Sequence, residues 1–565
     1  MNRIPKPLLL LIGLLAAYFT FLAFLIFRSN YVMMDTVWTV WHHPEPNTVF
    51  HHWSIQGRAL GGCWLQWLFG LAGKISNVRF IRLVSWAGWV GFCALLFRVL
   101  RRVWRSGGLE SGDWVIRLTV VFAAACLSVV LYIGWANCSE IFIPAILSLW
   151  AGLILFEGMY GRATGAAATG AAAAAGVTGG AAAAAAGRVT GAAAAGAATN
   201  FRLPLWRAGL ALVLGVLALF SYQTCYPFLL LPFYCVYLNR KDGKLTRPML
   251  VALFFFFAGL VLYYIAFRYS LRLSGFQPSE RTALGLDPLN RLSFFFSYPM
   301  NQAFNLNFFF NTKSALSQIV FPVLMGGWVL FTFLYRRGRA SQANGQTGQP
   351  AKGQTGLPAK GQISQQVTGQ AWIRLRYILG MIFWWMLGYL PQLIAQESEG
   401  PYRTMPVLSL MVFLMMADWI GSLIKEGRQK MLLSFALILI LLVRGGYVYY
   451  SYISGPYSEE YRAVRAAVAD RYNSRIKKVI FVLADENGFM PRFGVAHFKD
   501  EFAMPSIHKD WTPEPLIKQI VYEMTGDRGQ ADKLEVTVYE KTGQIPDRMV
   551  LSDPAVLFID AHTLF

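Results

Sequence analysis

The sequence predicts a polytopic α-helical membrane protein with a small α/β domain at its C-terminal end. Of its 565 residues, 55% are hydrophobic and only 14% are charged, and the mean hydropathy is +0.42. Apolar stretches of about 20 residues recur along the chain, and a helix of that length crosses a bilayer core of about 30 Å. Basic residues are concentrated in the short segments between those stretches, as in the cytoplasmic loops of membrane proteins.

Hydropathy predicts about eleven membrane-spanning helices in residues 1–454. The first apolar stretch is too long for the core of a signal peptide and has no clear small-residue cleavage site, so we interpret it as a retained helix. The predicted spans are 8–27, 80–100, 115–133, 141–159, 205–221, 224–238, 248–267, 316–335, 372–394, 404–424 and 430–450.

Basic residues predict the orientation of these spans. With the N-terminus in the cytoplasm, the basic clusters around Arg101, Arg240, Arg336 and Lys430 all lie on the cytoplasmic side. The net charge of +21 is explained by these clusters, so it does not indicate a nucleic-acid partner. The same orientation places the loop after the first span and the C-terminal domain on the outer face.

Two low-complexity segments, 161–200 and 338–370, interrupt the predicted spans. The first is rich in Ala and Gly. If it crossed the membrane, every later basic loop would change sides, so the sequence favours a cytoplasmic linker whose glycines oppose helix formation. The second contains the tandem repeat GQTGQPAK and GQTGLPAK and reads as a polar cytoplasmic linker.

The composition changes in residues 455–565, which we expect to form an extracytoplasmic α/β domain. The segments KKVIFVLA, LEVTVYE and AVLFID have the pattern of strands. YSEEYRAVRAAVADRY and PEPLIKQIVYEMTG have the pattern of amphipathic helices. The loop DEFAMPSIHKDW lies between them and could contact an acceptor, although such a loop is most often only a connection.

Asp35 is the strongest candidate for chemistry in the first outer loop. It follows the first span closely and has Met34, Val37 and Trp38 as neighbours. Ionisable residues at a membrane boundary are costly and commonly functional, and apolar neighbours favour a carboxylate that acts as a general base. The alternative is that Asp35 caps an interfacial helix.

Four of the seven histidines of the chain lie in the same loop, at His42, His43, His51 and His52. Histidine and carboxylate are ligands for divalent metals, but the spacing here matches no closed zinc motif. The sequence therefore does not predict a specific cofactor. These histidines either contact the substrate or bind a divalent metal, and both interpretations stay open.

Further candidate substrate-binding residues lie at other outer ends of the predicted spans. Arg58 precedes a Gly-rich interfacial stretch, where its guanidinium could hold a phosphate or extend to lipid headgroups. Glu397, Glu399, Tyr402 and Arg403 occupy a short outer loop, where an internal Glu–Arg pair is the alternative. Tyr222 and Gln223 in FSYQTCYPF are also candidate substrate-binding residues, which could bind a sugar or hold helices together.

These features together resemble the GT-C class of membrane glycosyltransferases. MMDTVW, followed about twenty residues later by QGRAL, is similar to the bacterial O-antigen-modifying glucosyltransferases of the Gtr type, and SYQTCYPF resembles a mid-chain segment of that family. The resemblance covers roughly residues 1–455. The family's acidic pair in the first loop stands here as Met34-Asp35, which leaves Asp35 alone as the base.

The resemblance implies an enzyme of a bacterial inner membrane. A polyprenyl-phosphate-linked sugar would donate its glycosyl group on the outer face to a glycan, lipid or protein of the cell envelope. Asp35 would accept the proton of the acceptor hydroxyl, and Arg58 or Arg403 would stabilise the departing lipid phosphate.

Two other classes of function remain as alternatives. A transporter or flippase of a lipid-linked or anionic substrate would carry charges within its spans and often an internal repeat, and no such repeat relates the two halves of the chain. An assembly or scaffold protein would not require the outer charged residues.

Overall fold

The computed structural model describes most of the chain. The described residues are 6–106, 112–175, 203–240, 242–279, 282–283, 285, 287–305, 315–346, 360–395, 400–424, 427–545 and 553–564.

Helices dominate the first part of the chain, as the apolar composition predicts. The helices that precede residue 280 are α1 (Lys6–Arg28), α2 (Met34–His42), α3 (Thr48–Ser54), α4 (Ala59–Ala72), α5 (Val78–Ser106), α6 (Gly112–Ala125), α7 (Leu127–Gly134), α8 (Phe142–Ala175), α9 (Leu205–Ser221), α10 (Leu231–Arg240) and α11 (Arg247–Ser274). Those that follow are α12 (Pro288–Ser297), α13 (Pro299–Phe304), α14 (Ala315–Gln346), α15 (Lys360–Gly388), α16 (Leu390–Ile394), α17 (Pro406–Leu423) and α18 (Gly427–Val448).

Within the described residues, seven helical segments are long and apolar enough to cross a membrane. They are Pro7–Arg28, Ile75–Trp104, Asp113–Gly134, Ala136–Tyr160, Arg247–Ser274, Pro406–Leu423 and Gly427–Arg471. These segments indicate an integral membrane protein. The larger number of eleven spans stays a prediction, because 205–221, 224–238, 316–335 and 372–394 are not among the seven.

Prolines and helix length explain why two of these four stretches do not form helices long enough to cross a membrane. In the stretch 224–238, the chain forms a 3₁₀ helix at Gln223–Leu230 that contains Pro227, and only then the ten-residue α10. Proline removes a backbone donor and disfavours a continuous α-helix. Leu205–Ser221 is a regular helix, but at 17 residues it is slightly too short.

Helices continue into both segments that the sequence assigns to linkers. α8 extends into the first segment as far as Ala175, and α14 extends into the second as far as Gln346. α15 begins at Lys360, inside the second segment. The central parts of both linkers, residues 176–202 and 347–359, lie outside the described residues.

The C-terminal domain contains the predicted α/β elements. Its strands β1 (Lys478–Val482), β2 (Glu535–Tyr539) and β3 (Val556–Asp560) form a parallel sheet in the order β2-β1-β3. Lys478 pairs with Glu535 on one side and with Val556 on the other. The helices of the domain are α19 (Gly455–Arg471), α20 (Met490–Phe493), α21 (Pro513–Thr525) and α22 (Arg528–Asp532). The strands and the two predicted helices, α19 and α21, are confirmed.

This domain shares a hydrophobic core with the segment that follows the first span. Val37 and Leu65 belong to the same buried cluster as Phe481 of β1 and Ile517 of α21. The guanidinium of Arg528 also donates to the backbone carbonyl oxygen of Trp41 at 2.7 Å. The shared core fixes the α/β domain against the helices around Asp35, so the boundary at residue 455 marks a change of composition and not a break in packing.

Candidate functional site

Asp35 lies in the first turn of α2 and is half-buried. It is not the cap of that helix, because Met33 occupies the capping position and has no side-chain cap bond. The Ser506 hydroxyl of the C-terminal domain instead accepts a hydrogen bond from the backbone N–H of Met34 at 3.1 Å. The carboxylate of Asp35 is therefore not required for capping.

A glycine turn directs Arg58 toward the same place. Gly57 has φ of 78°, and its carbonyl oxygen accepts hydrogen bonds from Gln223 Nε2 and the Tyr263 hydroxyl, both at 3.0 Å. A Cβ atom on Gly57 would lie 2.1 Å from the Tyr263 hydroxyl oxygen, so only glycine fits this turn. The Arg58 guanidinium then lies 4.5 Å from the centre of the Tyr222 ring.

A short 3₁₀ turn, Tyr402–Thr404, presents Arg403. Glu501 of the C-terminal domain stabilises this turn. Its carboxylate accepts hydrogen bonds from the backbone N–H groups of Tyr402 and Arg403 at 2.6 and 3.0 Å, and lies 3.9 Å from Arg403 Nε. Glu501 is 1% exposed. Burial raises the pKa of its carboxyl group, whereas Arg403 and the two N–H groups oppose that rise.

These three segments meet in one cavity, which we call the polar cavity. Its empty volume is about 640 Å³ when the open mouth is included. Asp35, Arg58 and Arg403 all contribute to its wall although they are far apart in the sequence. The other lining residues are Trp53, Trp135, Asn137, Cys138, Glu140, Ile141, Tyr222, Gln392, Pro401 and Thr404.

A second, mostly apolar groove adjoins the polar cavity, and Arg58 and Gln392 line both. We call it the apolar groove; its empty volume is about 1190 Å³. Val261 of α11 and Ile394 of α16 are exposed along it. The groove is further lined by Gln56, Leu219, Gln223, Leu260, Tyr263, Tyr264, Phe267, Thr282, Pro391 and Ala395.

The remaining predicted site residues are distributed differently. Tyr222 lines the polar cavity and Gln223 lines the apolar groove. Tyr402 is not in the wall of either one, because its ring is buried and packs 5.0 Å from the ring of Phe498. Glu397 and Glu399 lie outside the described residues.

The four histidines of the first loop do not line the polar cavity or the apolar groove, and their contact with substrate stays a prediction. The rings of His42 and His52 each lie 4.8 Å from the ring of Trp38. His42 Nδ1 is 2.7 Å from Glu45 Oε1, and the ring of His51 packs on Phe276. His43 Nδ1 lies 2.6 Å from the carbonyl oxygen of Val40, and burial lowers the pKa of that histidine.

No group of three or more His, Cys, Asp or Glu side chains among the described residues is arranged to hold a metal ion. The described histidines of the first loop are thus explained by packing with aromatic rings and by local hydrogen bonds.

Sequence reasoning missed the roles of Glu501 and Ser506. Both belong to the loop that was interpreted as a connection with a possible acceptor contact. In the structure this loop holds the turn of Arg403 and the first turn of the Asp35 helix at the same time. The sequence contained one indication of these roles, which is that the loop includes the apolar residues Phe502 and Met504. Both are buried in the structure.

Substitution of Glu501 by Gln tests this loop. The amide has one acceptor oxygen, so it can satisfy only one of the two backbone N–H groups and leaves Arg403 without a counter-charge. We expect a destabilisation of about 1–3 kcal/mol and a loss of about tenfold in activity, measured by thermal unfolding and by the transfer assay described below. Glu535→Gln, which breaks the exposed pair with Lys478, is the matched control and should change neither quantity measurably.

Comparison with models of protein families, with curated proteins and with solved structures gives no match to this chain. The assignment of a function therefore depends on the geometry of the two cavities and on the motifs of the sequence.

Proposed function

We propose that this protein is a membrane glycosyltransferase that moves a sugar from a polyprenyl-phosphate donor to an acceptor hydroxyl of the cell envelope. The observation that carries the proposal is the polar cavity, in which the carboxyl groups of Asp35 and Glu140 share a wall with the guanidinium groups of Arg58 and Arg403, and the motif resemblance selects Asp35 as the base. Transfer from a phosphate-linked donor needs a base for the acceptor and positive charge for the leaving phosphate, and these residue types supply both.

The apolar groove supports a lipid-linked donor. Its walls are mainly aliphatic and aromatic, and it meets the polar cavity at Arg58. A polyprenyl chain in the groove would place its phosphate beside the guanidinium of Arg58, where the apolar groove meets the polar cavity. Arg58 is pre-oriented for that role by the rings of Trp53 and Tyr222, which lie 5.4 and 4.5 Å from its guanidinium carbon.

The proposed reaction is a single displacement. The acceptor hydroxyl oxygen forms a bond to the anomeric carbon as its proton moves to the carboxylate of Asp35. The bond between the anomeric carbon and the phosphate oxygen breaks, and its electron pair leaves with the polyprenyl phosphate. Arg58 and Arg403 stabilise the charge that develops on that oxygen, a contribution of a few kcal/mol for each well-placed donor.

The polar cavity should open on the outer face of the membrane. Glu140 lines the cavity just before α8 begins, and Glu157 lies about 25 Å further along that helix. There Glu157 pairs with Arg102 of the first basic cluster at 3.7 Å. The cavity and this basic cluster thus occupy opposite ends of the helical bundle, and the positive-inside rule assigns the basic end to the cytoplasm.

Cysteine labelling tests this orientation. In a variant without the native cysteines, a cysteine in place of the exposed Asp510 should react with a membrane-impermeant maleimide added to intact cells. A cysteine in place of the exposed Gln429, beside the basic residues of α18, should react only after the membrane is opened. The reverse pattern would contradict the proposed orientation.

The proposed activity is tested with purified full-length protein in nanodiscs and a synthetic polyprenyl phosphate that carries a labelled hexose. Appearance of the label on cell-envelope acceptor material, with release of polyprenyl phosphate, supports the proposal. Movement of intact donor across a liposome membrane without cleavage of the sugar–phosphate bond would favour a flippase instead.

A further inference from the structure

Within the described part of the chain, two buried oxygen atoms in the wall of the polar cavity have no hydrogen-bond partner. They are Oδ1 of Asn137 and Oε2 of Glu140. The two residues are 3% and 2% exposed, and both line the cavity. An unpaired buried acceptor is costly, so such atoms in a cavity wall indicate a ligand that supplies donors.

Hydrogen bonding fixes the orientation of the Asn137 amide. The hydroxyl of Thr39 donates its only hydrogen to the backbone carbonyl oxygen of Asp35 at 2.8 Å. It must therefore accept from Asn137, whose Nδ2 lies 2.7 Å away. The amide oxygen is therefore the atom without a partner. Thr39, on the same helix as Asp35, orients Asn137 so that this oxygen serves as an acceptor in the cavity wall.

Glu140 follows Asn137 on the same short segment, between the 3₁₀ turn Ala136–Cys138 and α8. Close packing holds its side chain in place. A Cβ atom on Gly61 of α4 would lie 3.4 Å from Glu140 Cγ and 2.9 Å from the carbonyl oxygen of Ser221, so the absence of a side chain at Gly61 permits this approach. The segment 137–140 therefore contributes acceptors to a cavity whose guanidinium groups are donors.

The acceptors and the donors of the cavity wall suit two different parts of a substrate. A phosphate at neutral pH mainly accepts hydrogen bonds, so it suits Arg58 and Arg403 and cannot satisfy the amide oxygen of Asn137. A sugar ring presents adjacent hydroxyl groups, and each can donate to an acceptor oxygen. We propose that Asn137 and Glu140 form the subsite that accepts hydrogen bonds from hydroxyl groups of the transferred sugar. The proposal rests on the proposed function, which supplies the glycosyl donor.

The test compares a polyprenyl-phosphate hexose with its monodeoxy analogues as donors for the full-length protein in nanodiscs. The wild-type protein should discriminate against at least one analogue by about 10²-fold in kcat/KM, because a missing hydroxyl leaves a buried acceptor unpaired. Asn137→Ala and Glu140→Leu each remove an acceptor oxygen, and each should reduce that ratio for the analogue that lacks its hydroxyl partner to within a few-fold of one. Thr39→Val keeps the side-chain volume, removes the hydroxyl that orients Asn137, and should reduce the ratio partly.

Gln302→Ala is the matched control, because Gln302 is also a buried amide with unpaired side-chain atoms but does not line the polar cavity. It should leave the ratio unchanged. A purely structural role of Asn137 or Glu140 would lower activity with all donors equally and leave the ratio intact, and that result would overturn the proposal.

Failure of the proposed function has a different outcome. If the wild-type protein transfers no sugar, binding of the same donors is measured by quenching of tryptophan fluorescence, since Trp53 and Trp135 line the polar cavity. Binding discrimination that Asn137→Ala and Glu140→Leu abolish would then support the sugar subsite without the transferase. Equal binding of all donors to the wild-type protein would contradict the subsite.

Discussion

Replacement of Asp35 by Asn is expected to lower the turnover of sugar transfer by about 10²-fold or more while donor binding stays nearly unchanged. Asn has almost the same shape as Asp and keeps hydrogen-bonding capacity, but it cannot accept the proton of the acceptor hydroxyl. The measurements are kcat for transfer from the labelled polyprenyl-phosphate hexose and the affinity for that donor from tryptophan fluorescence.

The surroundings of Asp35 make this substitution a test of chemistry and not of folding. The first turn of α2 is capped by the Ser506 hydroxyl, so the helix does not depend on the carboxylate. Asp113→Asn is the matched control, because Asp113 also lies in the first turn of a helix, α6, but is not in the wall of the polar cavity. Full transfer activity of Asp35→Asn would contradict the proposed role of Asp35 as the general base.

Replacement of Arg403 by Ala should weaken donor binding and turnover together, with a loss of about 10²-fold in kcat/KM. The lipid phosphate is present in the bound donor and in the transition state, so its guanidinium partner contributes to both. This pattern differs from that of Asp35→Asn, which removes a group needed only for the chemical step. Steady-state kinetics over a range of donor concentrations separate the two.

Arg403→Ala also leaves Glu501 buried without its counter-charge, which by itself destabilises the fold by about 3 kcal/mol or more. The double variant Arg403→Ala/Glu501→Gln removes both charges and should recover part of that stability without recovering activity. Arg462→Ala is the control for loss of an Arg–Glu pair, since Arg462 pairs with Glu459 at 2.9 Å on the exposed side of α19. Restoration of transfer in the double variant would show that Arg403 acts only through stability.

The sequence predicted a large part of the helical architecture because long apolar segments in a lipid bilayer can satisfy their backbone groups only within a helix. The α/β elements of residues 455–565 were also predicted, since alternation in strands and amphipathic periodicity are local properties. The stretch 224–238 was interpreted as one span from hydropathy alone, although Pro227 and Pro232 oppose a continuous helix there. The histidines of the first loop pack against Trp38 and Phe276, and local motifs do not indicate such contacts.

The sequence by itself determined which residue types lie near the ends of the helices, and so it identified Asp35, Arg58 and Arg403 as candidates. The need for a base on one side of the sugar and a phosphate partner on the other also predicted that Asp35 and Arg403 meet in one cavity, which the structure confirms. Only the tertiary structure decided that Arg58 lines the same cavity and that Glu501 and Ser506, from the C-terminal domain, hold two of its walls. The physical reason is that local patterns record how each segment meets lipid or water. Contacts between residues hundreds of positions apart depend on how the helices pack, and hydropathy and local motifs do not encode that packing.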